Sequence, residues 1–343
     1  MTRDDMRFGT FHLMTQYAGA TSGQIVAETL AEAELAERLG FGRVWLTEHH
    51  ASDHGICSAP AVFAAAVAAR TQKIGLGFAV NVAPLHHPLR LAEELAMVDQ
   101  LSGGRVVAGF GPGYSPYEFA RYGVDIGERY TRHNEVVEVV LKAWTGERFD
   151  YVGEHFHFED AQALPAPAQP LPVAITASSI AGAHYAARAG YRLLTLGGSD
   201  EVREIVAAYA AEMRRSGHDA ALIEDNLARV GVLKHVYMAE SDEEAQAAIR
   251  APTEMLLRRL DALTTEDGAG TGAVFEEGLA VEMEKYLSTR FIAGSTKTVR
   301  AEIAALADAG CGEVLCWFRW GAMEHAEAVA SMRRFGAVLQ RAG

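Results

Sequence analysis

A helix-like stretch that ends at a glycine, followed within a few residues by a short apolar run, recurs along this chain. It occurs at residues 32–48 (EAELAERLGFGRVWLTE), 183–198 (AHYAARAGYRLLTLGG) and 302–318 (EIAALADAGCGEVLCWF). Glycine suits the left-handed residue at which a helix ends. The run that follows is too short for an amphipathic helix and is typical of a strand that is buried on both faces. The pattern therefore predicts a parallel sheet whose strands alternate with helices.

Eight strands are predicted in this way, which favours an α/β fold of the (β/α)8 TIM-barrel type. A doubly wound open sheet would show the same alternation, but no GxGxxG turn follows the first strand. The predicted strands lie at 6–13, 43–46, 73–82, 105–111, 172–178, 191–197, 228–238 and 313–318. The predicted helices lie at 24–39, 58–70, 88–101, 128–144, 180–189, 200–216, 241–250, 296–309 and 324–341.

Two segments interrupt the repeat within what we expect to be a single barrel domain over residues 1–343. Residues 149–172 contain a β-rich run around Gly153 and then several prolines, which predicts a hairpin followed by an extended connector. The second segment, at about 251–293, includes a stretch at 264–278 that is rich in glycine, threonine and acids. Such an insertion is typical of a mobile loop, and we expect 264–278 to act as a lid.

The chain carries a formal net charge of −14, and its lysines and arginines are scattered. This argues against nucleic acid as a partner, because phosphate binding requires clustered basic residues. No apolar run is long enough to cross a bilayer, and the N-terminus lacks the features of a signal peptide. The cysteines, Cys57, Cys311 and Cys316, are too few for a disulfide framework, so we expect free thiols and a cytoplasmic protein.

Three histidines and two acids occur at 45–55 (WLTEHHASDHG), directly after the second predicted strand. Barrel active sites form at the carboxyl ends of the strands, so this stretch lies on the expected catalytic face. Neighbouring residues on a strand point to opposite faces, so His49 and His50 do not readily share a metal ion. No HExxH, HxH or CxxC spacing is present, and we predict no metal site. Two interpretations remain. We expect His54 and one of His49 and His50 to be hydrogen-bonded polar residues of a loop, and the other histidine either shares that role or faces the barrel mouth as an acid–base group.

Two further motifs follow predicted strands. TASSIAG, at 176–182, combines Ser178 and Ser179 with a helix start, where N–H groups and hydroxyls can form a phosphate cradle. Ordinary helix capping by either serine explains the same motif. GFGPG, at 109–113, fits neither a P-loop nor a Rossmann turn, and its glycines leave room for a flat ligand to approach the backbone.

The runs GFGRVWLTEHHASDHG, VNVAPLHHPLRLAEELAMVDQLSGGRV, TASS and EHAEAVASMRRF together resemble the bacterial-luciferase-like, flavin-dependent monooxygenases. The resemblance covers nearly the whole chain and implies a TIM barrel with a loop inserted late. It also implies a two-component monooxygenase that takes reduced FMN from a separate NAD(P)H-dependent flavin reductase. Such an enzyme reacts with O2 to form a 4a-hydroperoxyflavin and oxygenates a small organic substrate.

The resemblance also implies roles for individual residues. His49 matches the catalytic histidine of luciferase, His87 matches a second histidine near the active site, and Glu118 matches an acid linked to flavin reactivity. The family's non-proline cis peptide beneath the flavin ring falls at Ala79–Val80. The phosphate-binding turn matches Ser178, Ser179 and the backbone at Gly182.

Three positions depart from luciferase. Gly111 stands where luciferase has a reactive cysteine beside the flavin, Pro112 replaces an arginine on the FMN phosphate, and Ser178 replaces a glutamate. The contacts with flavin therefore differ in detail, and light emission from a long-chain aldehyde is not expected. We expect reduced FMN to bind more tightly than oxidised FMN, because the loss of the arginine at position 112 weakens the contacts with the phosphate.

Two other functions are compatible with the sequence. One is deazaflavin-dependent hydride transfer on the same fold, and the other is non-catalytic flavin binding. Relatives without chemistry tend to lose barrel-mouth residues, whereas His49, His87 and Glu118 are all present here.

A homodimer is expected through residues 58–70 (SAPAVFAAAVAAR), where small apolar residues continue round the predicted helix. A helix that is apolar on all sides is normally buried. Packing against neighbouring helices of the same chain would explain the same pattern.

Overall fold

Eight parallel strands close into a barrel in the computed structural model, which describes residues 6–17, 19–270 and 277–339. The first barrel strand pairs with the last and with the second, and the seventh pairs with the sixth and the eighth, so the sheet closes on itself. The predicted TIM barrel is confirmed. In chain order the strands are β1 (Arg7–His12), β2 (Arg43–Leu46), β3 (Gly75–Phe78), β4 (Asn81–Val82), β5 (Val106–Gly111), β6 (Phe149–Val152), β7 (His157–Ala161), β8 (Val173–Thr176), β9 (Arg192–Leu196), β10 (Gly231–Met238), β11 (Phe291–Gly294) and β12 (Glu313–Trp317).

The eight barrel strands lie where the sequence predicts them, and β4 continues the third strand beyond β3. Strands β6 and β7 form the predicted hairpin and pair antiparallel outside the barrel. Strand β11 was not predicted. It pairs in parallel with the carboxyl end of β10, where Phe291 lies opposite His235. Four residues directly after a helix carry too little periodicity to be recognised as a strand.

Helices surround the barrel. Eight of the nine predicted helices begin and end close to their predicted bounds, and the ninth, expected at 241–250, continues to Ala262. The helices at Pro116–Tyr122, Ala220–Leu227 and Glu277–Arg290 were not predicted. In chain order the helices are α1 (Ser22–Leu39), α2 (Pro60–Arg70), α3 (Pro88–Ser102), α4 (Pro116–Tyr122), α5 (Arg129–Ala143), α6 (Ile180–Arg188), α7 (Ser199–Arg215), α8 (Ala220–Leu227), α9 (Asp242–Ala262), α10 (Glu277–Arg290), α11 (Thr296–Asp308) and α12 (His325–Leu339).

The segment at 251–293 is largely helical, so the expectation of a long loop there is wrong. Helix α9 passes through Pro252, a residue that normally ends or bends a helix. The next residue secures the helix on both sides, since Thr253 Oγ1 donates to the Ile249 carbonyl at 2.6 Å and accepts from Trp320 Nε1 at 3.2 Å. Residues 271–276 of the predicted lid lie outside the described residues.

A tryptophan inside the barrel explains two glycines in its strands. The ring of Trp45 lies where a Cβ at Gly77 or at Gly9, on the strands either side, would collide with it. The indole Nε1 donates to Glu313 Oε1 at 2.8 Å across the barrel. Glycine at both positions therefore allows one large side chain to fill the space that smaller residues from several strands usually share.

The three cysteines are free and buried, as predicted. Burial raises the pKa of the Cys57 and Cys311 thiols to about 12, so neither supplies a thiolate nucleophile near neutral pH. None of the helices among the described residues is long and apolar enough to span a membrane.

Candidate active site

The histidine pair after β2 points to two sides of the barrel wall, as the sequence predicts. The ring of His49 contacts Glu118 and the ring of Tyr114. The ring of His50 contacts Glu48 and Tyr122 instead. The alternation of side chains along an extended chain places the two imidazoles in different surroundings. The two rings therefore meet different residues of the segment after β5: Tyr114 and Glu118 for His49, and Tyr122 for His50.

His49 and Glu118 form a buried hydrogen-bonded pair. Nδ1 of His49 lies 2.8 Å from Glu118 Oε1, and the two side chains are 8% and 2% exposed. The same oxygen accepts the amide N–H of His50 at 2.9 Å, so Glu118 Oε1 bridges the His49 ring and the His50 backbone. A histidine held in this way keeps Nε2 as the nitrogen that can take up or return a proton. The resemblance named both residues, and the fold brings them together.

The first turn of α4 positions Glu118. Ser115 caps the helix and accepts the amide N–H of Glu118 at 3.3 Å, and Pro116 occupies the first helical position, where its missing N–H costs nothing. In a capping box the glutamate at this position would turn back to the cap residue. Here the carboxylate reaches His49 and His50 instead. The helix start therefore serves to aim one carboxylate at the end of β2.

Glu48 connects the residues on the His50 side of the strand end, a role that the sequence did not reveal. It accepts hydrogen bonds from His50 Nε2 at 2.6 Å, His86 Nε2 at 2.9 Å and the amide of Val82 at 2.7 Å. Burial opposes ionisation, but the hydrogen bonds from His50 and His86 lower the pKa of Glu48 to about 2. Burial likewise opposes the charged form of His86, yet Glu48 raises its pKa overall. The charged glutamate therefore ties the end of β2 to β4.

His87 lies apart from this centre. It precedes α3, is exposed, and its ring meets Phe158 at 5.5 Å and Phe156 at 6.1 Å edge-on in the hairpin. Among the described residues it makes no hydrogen bond to His49 or Glu118. The neighbouring His86 is the histidine of that pair which the structure connects to the end of β2.

His54 belongs to the centre, although its sequence position suggested only a polar loop. It is 3% exposed, and its ring lies perpendicular to that of His49 at a centroid distance of 4.8 Å. Burial, then the proximity of His49 and Arg259, lowers the pKa of His54 well below its ordinary value. A neutral imidazole therefore packs against the His49 ring. The signal that could have found it is the third histidine in one short stretch.

Tyr114 lies beside His49, in the segment between β5 and α4. Its ring centroid is 6.0 Å from that of His49 at an interplanar angle of 72°, and the residue is 57% exposed. Tyr286 of α10 is close enough to act on the Tyr114 phenol, and burial raises the pKa of Tyr286 to about 12. The late segment therefore lies near this side of the site.

The residues that the resemblance assigns to the flavin ring, Ala79, Val80 and Gly111, lie close together at the carboxyl ends of neighbouring strands. The Ala79–Val80 peptide bond is cis, as the resemblance implied. A Cβ at Gly111 would lie 2.7 Å from Val80 Cγ2 and 2.9 Å from Thr176 Oγ1. The ends of the third, fourth and fifth barrel strands therefore meet here. Val80 and Thr176 fill the space that a side chain at Gly111 would need, so packing alone explains the glycine. The expectation that this glycine leaves room for a ligand is not needed to explain it.

The serine turn after β8 is built as a helix cap. Ser179 Oγ accepts the amide N–H of Gly182 at 3.2 Å, and Ser178 and Ser179 are both exposed. A Cβ at Gly182 would lie 2.7 Å from Ala177 Cβ, which explains the glycine. The capping interpretation is sufficient for this geometry. The helix start and the two hydroxyls nevertheless remain open to an anion.

Sequence comparison agrees with this architecture. A family model described as luciferase-like monooxygenase matches residues 6–313. An uncharacterised protein, y4wF, of Sinorhizobium fredii is 34% identical over 70% of this chain and 69% of its own length. Limonene 1,2-monooxygenase of Rhodococcus erythropolis is 29% identical over 75% and 67%. The oxygenase component of flavin-dependent trigonelline monooxygenase of Acinetobacter baylyi is 28% identical over 71% and 68%.

Solved structures share the fold over nearly the whole chain. Monooxygenase RslO1 from Streptomyces bottropensis superposes with a TM-score of 0.84 at 28% identity, covering 98% of this chain and 99% of that one. The oxygenating constituent of 3,6-diketocamphane monooxygenase of Pseudomonas putida, in complex with FMN, gives 0.80 at 19% identity, covering 97% and 98%. An F420-dependent secondary alcohol dehydrogenase gives 0.76 at 17%, covering 98% and 99%. The last two show a common barrel and no more.

Proposed function

The chain belongs to the luciferase-like monooxygenase family, and we propose that it is the oxygenase component of a two-component, flavin-dependent monooxygenase. Its reductant would be FMN reduced by a separate NAD(P)H-dependent flavin reductase, and its other substrates O2 and a small organic molecule. The relatives described above include limonene 1,2-monooxygenase and the oxygenase component of a flavin-dependent monooxygenase, which supports this proposal. We expect this partnership in the cytoplasm.

The observation that carries the proposal is the buried His49–Glu118 pair at the carboxyl end of β2. Glu118 holds Nδ1, which leaves Nε2 of His49 to exchange a proton with reacting oxygen atoms. Glu118 itself is held by the start of α4, so the imidazole has a set orientation.

The residues present fit a flavin. Ala79, Val80 and Gly111 offer a close-packed apolar rim for the flat ring, and Ser178 and Ser179 offer hydroxyls at a helix start for the phosphate. When bound, reduced flavin supplies the electrons that activate O2. The protein's own residues bind and orient it, exclude water and hold one proton at His49. His87 remains a proposed active-site residue. Because it is exposed, a substrate would contact it directly and not through His49.

Anaerobic titration followed by air tests this proposal. We expect reduced FMN to bind more tightly than oxidised FMN, since Pro112 offers no charge for the phosphate, and admission of air should then consume O2. If reduced and oxidised FMN bound with equal, nanomolar affinity, the proposal that a separate reductase supplies reduced FMN would be contradicted. Tight binding of a reduced deazaflavin, without O2 consumption, would instead support hydride transfer. Flavin binding with neither reaction would indicate a binding protein.

A further inference from the structure

Four arginines and one glutamate lie at the amino end of the barrel, opposite the candidate active site. Each occupies the start of a barrel strand or the residues just before it: Arg7 on β1, Arg43 on β2, Arg192 on β9, Arg229 before β10 and Glu313 on β12. We call these five residues the basal cluster. The candidate active site lies at the carboxyl ends of the strands, so the basal cluster is separate from it.

The side chains of the basal cluster converge inside the barrel. Arg43 lies two residues before Trp45, which donates to Glu313 Oε1 across the interior, and residues two apart on a strand face the same side. Strands β2 and β9 are the second and sixth of the eight and lie on opposite sides of the barrel, yet Arg43 acts electrostatically on Arg192. Arg7 and Glu313 act on the same guanidinium. The charged groups are therefore within electrostatic reach of one another.

Positive charge exceeds negative charge in this part of the barrel. The Glu313 Oε2 atom lies 3.7 Å from Arg43 Nη1. Asp225 pairs with Arg192 at 3.4 Å and with Arg229. Four guanidiniums thus face two carboxylates, which leaves two net positive charges in a chain whose formal net charge is −14.

The crowding of these cations is unfavourable. Burial, then the neighbouring Arg229 and Arg43, lowers the pKa of Arg192 to about 10. Burial, then Arg7 and Arg43, also lowers the pKa of Arg229. Both groups still carry their charge near neutral pH, so the repulsion between them persists unless an anion offsets it.

The basal cluster also has hydrogen-bond donors to spare, since a guanidinium carries five N–H groups. One nitrogen of Arg7 donates to a backbone carbonyl at 2.8 Å, and Arg192 and Arg229 each use one nitrogen on Asp225. Arg43 makes no hydrogen bond to a described residue, and its Nε is buried without a partner. Buried donors of this kind normally find an acceptor in protein, water or a ligand.

We propose that the basal cluster binds a phosphate-type dianion at the amino end of the barrel. Planar guanidiniums match the oxygens of a phosphate group, and a dianion would balance the two net positive charges. Inorganic phosphate and the phosphate of an organic ester share this chemistry. The amino end of such a barrel serves stability rather than catalysis, so the anion should stabilise the fold without taking part in the reaction. The proposal goes beyond the proposed function and does not depend on it.

Calorimetric titration of the intact protein at pH 8 and constant ionic strength tests this site. Inorganic phosphate and glycerol 3-phosphate should bind saturably, and the tighter of the two identifies the source of the anion. Arg192→Gln and Arg229→Gln should each weaken binding by about 10- to 100-fold, the worth of one hydrogen bond to a charged group. Arg148→Gln is the matched control, because it removes an equal charge from the exposed hairpin. Thermal melting checks that each variant folds.

The absence of saturable binding by the wild-type protein would overturn the site, as would equal weakening in Arg148→Gln. Loss of binding in Ser179→Ala, with both arginine variants unaffected, would place the ion at the serine turn and also overturn it. Asp4 and Asp5 lie outside the described residues. Binding that appears only after both are changed to asparagine would mean that the chain's own carboxylates neutralise the cluster, which contradicts the proposal. A protein that consumes no O2 with reduced FMN, yet binds phosphate here, would lose the proposed function and keep this site.

Discussion

At the scale of single residues, His49 differs from His50 because only the side chain of His49 pairs with Glu118. We expect His49→Ala to lower product formation by at least about 100-fold, the lower bound for an acid–base group. Flavin oxidation should continue, with hydrogen peroxide released instead of product. The measurement is product and peroxide formed per reduced FMN consumed, with an accepted substrate.

His50→Ala is the matched control for that experiment. It removes a partner of Glu48 and of Tyr122, so it should lower stability while leaving the yield of product per flavin largely intact. If His50→Ala uncoupled the reaction and His49→Ala did not, the assignment of the two histidines would be reversed. If neither substitution changed the yield of product per flavin, residues 45–55 would be an ordinary polar loop.

Glu48 gives a prediction on stability and pH. Its folded pKa of about 2 lies below the ordinary 4.5, so it stabilises the fold fully above pH 4.5. That contribution falls as pH drops towards 2. Glu48→Gln keeps the shape but removes the charge that His50, His86 and the Val82 amide contact, at a cost of about 2 kcal/mol. Urea unfolding of both proteins from pH 6 to pH 3 should therefore show the difference shrinking as the pH falls. A difference that stays constant would contradict the depressed pKa.

At the scale of elements, the residues after α9 are fastened to α4. Ser115 Oγ donates to the Leu263 carbonyl at 3.1 Å, and Arg121 Nη1 donates to the Glu266 carbonyl at 2.7 Å. The predicted lid therefore begins on the helix that positions Glu118. We expect reduced FMN to slow cleavage at Glu266 by a glutamate-specific protease, because ordering this segment over flavin would hide the bond.

Arg121→Ala provides the comparison for the lid. Loss of the Glu266 contact should speed cleavage in the absence of flavin, and bound flavin should restore part of the protection. Identical cleavage with and without reduced FMN, in wild type and variant alike, would show that this segment has no link to the site.

At the scale of the whole molecule, the neighbouring helices α2 and α3 expose large apolar side chains. Val62 is 71% exposed, Met97 48% and Leu101 59%, while Phe63 of α2 is buried. Exposed apolar surface of this kind is typical of an interface, so we expect the homodimer contact to lie on these two helices. The proposed homodimer would cover these side chains, and light scattering at micromolar concentration should report twice the mass of one chain.

Val62→Asp should weaken that dimer, because a buried unpaired carboxylate opposes association. Val152→Asp is the control, since Val152 is 76% exposed but lies in the hairpin rather than on α2. A wild-type monomer, or equal effects of the two substitutions, would mean that the exposed residues of α2 and α3 are ordinary surface.

Local periodicity was enough to predict the eight barrel strands, eight of the helices and the start of α9. Each of those elements is long enough, or ends clearly enough at a glycine, to show its own pattern. Helix α4 begins at a proline within a glycine-rich stretch, and α9 contains Pro252, so local rules predicted a loop and an early end. Contacts with other elements, such as that of Thr253 with Trp320, override the local preference.

The sequence by itself determined that His49 and His50 face different ways, because alternation is a property of the extended chain. Only the tertiary structure decided what each one meets. Glu118 is 69 residues from His49, and His86 is 38 from Glu48. His54 was expected to be a polar loop residue, and only the folded chain shows that its ring is buried against that of His49. Burial and hydrogen-bond partners depend on residues distant in the chain, and these two quantities set which side chains are charged, held in place or open to a ligand.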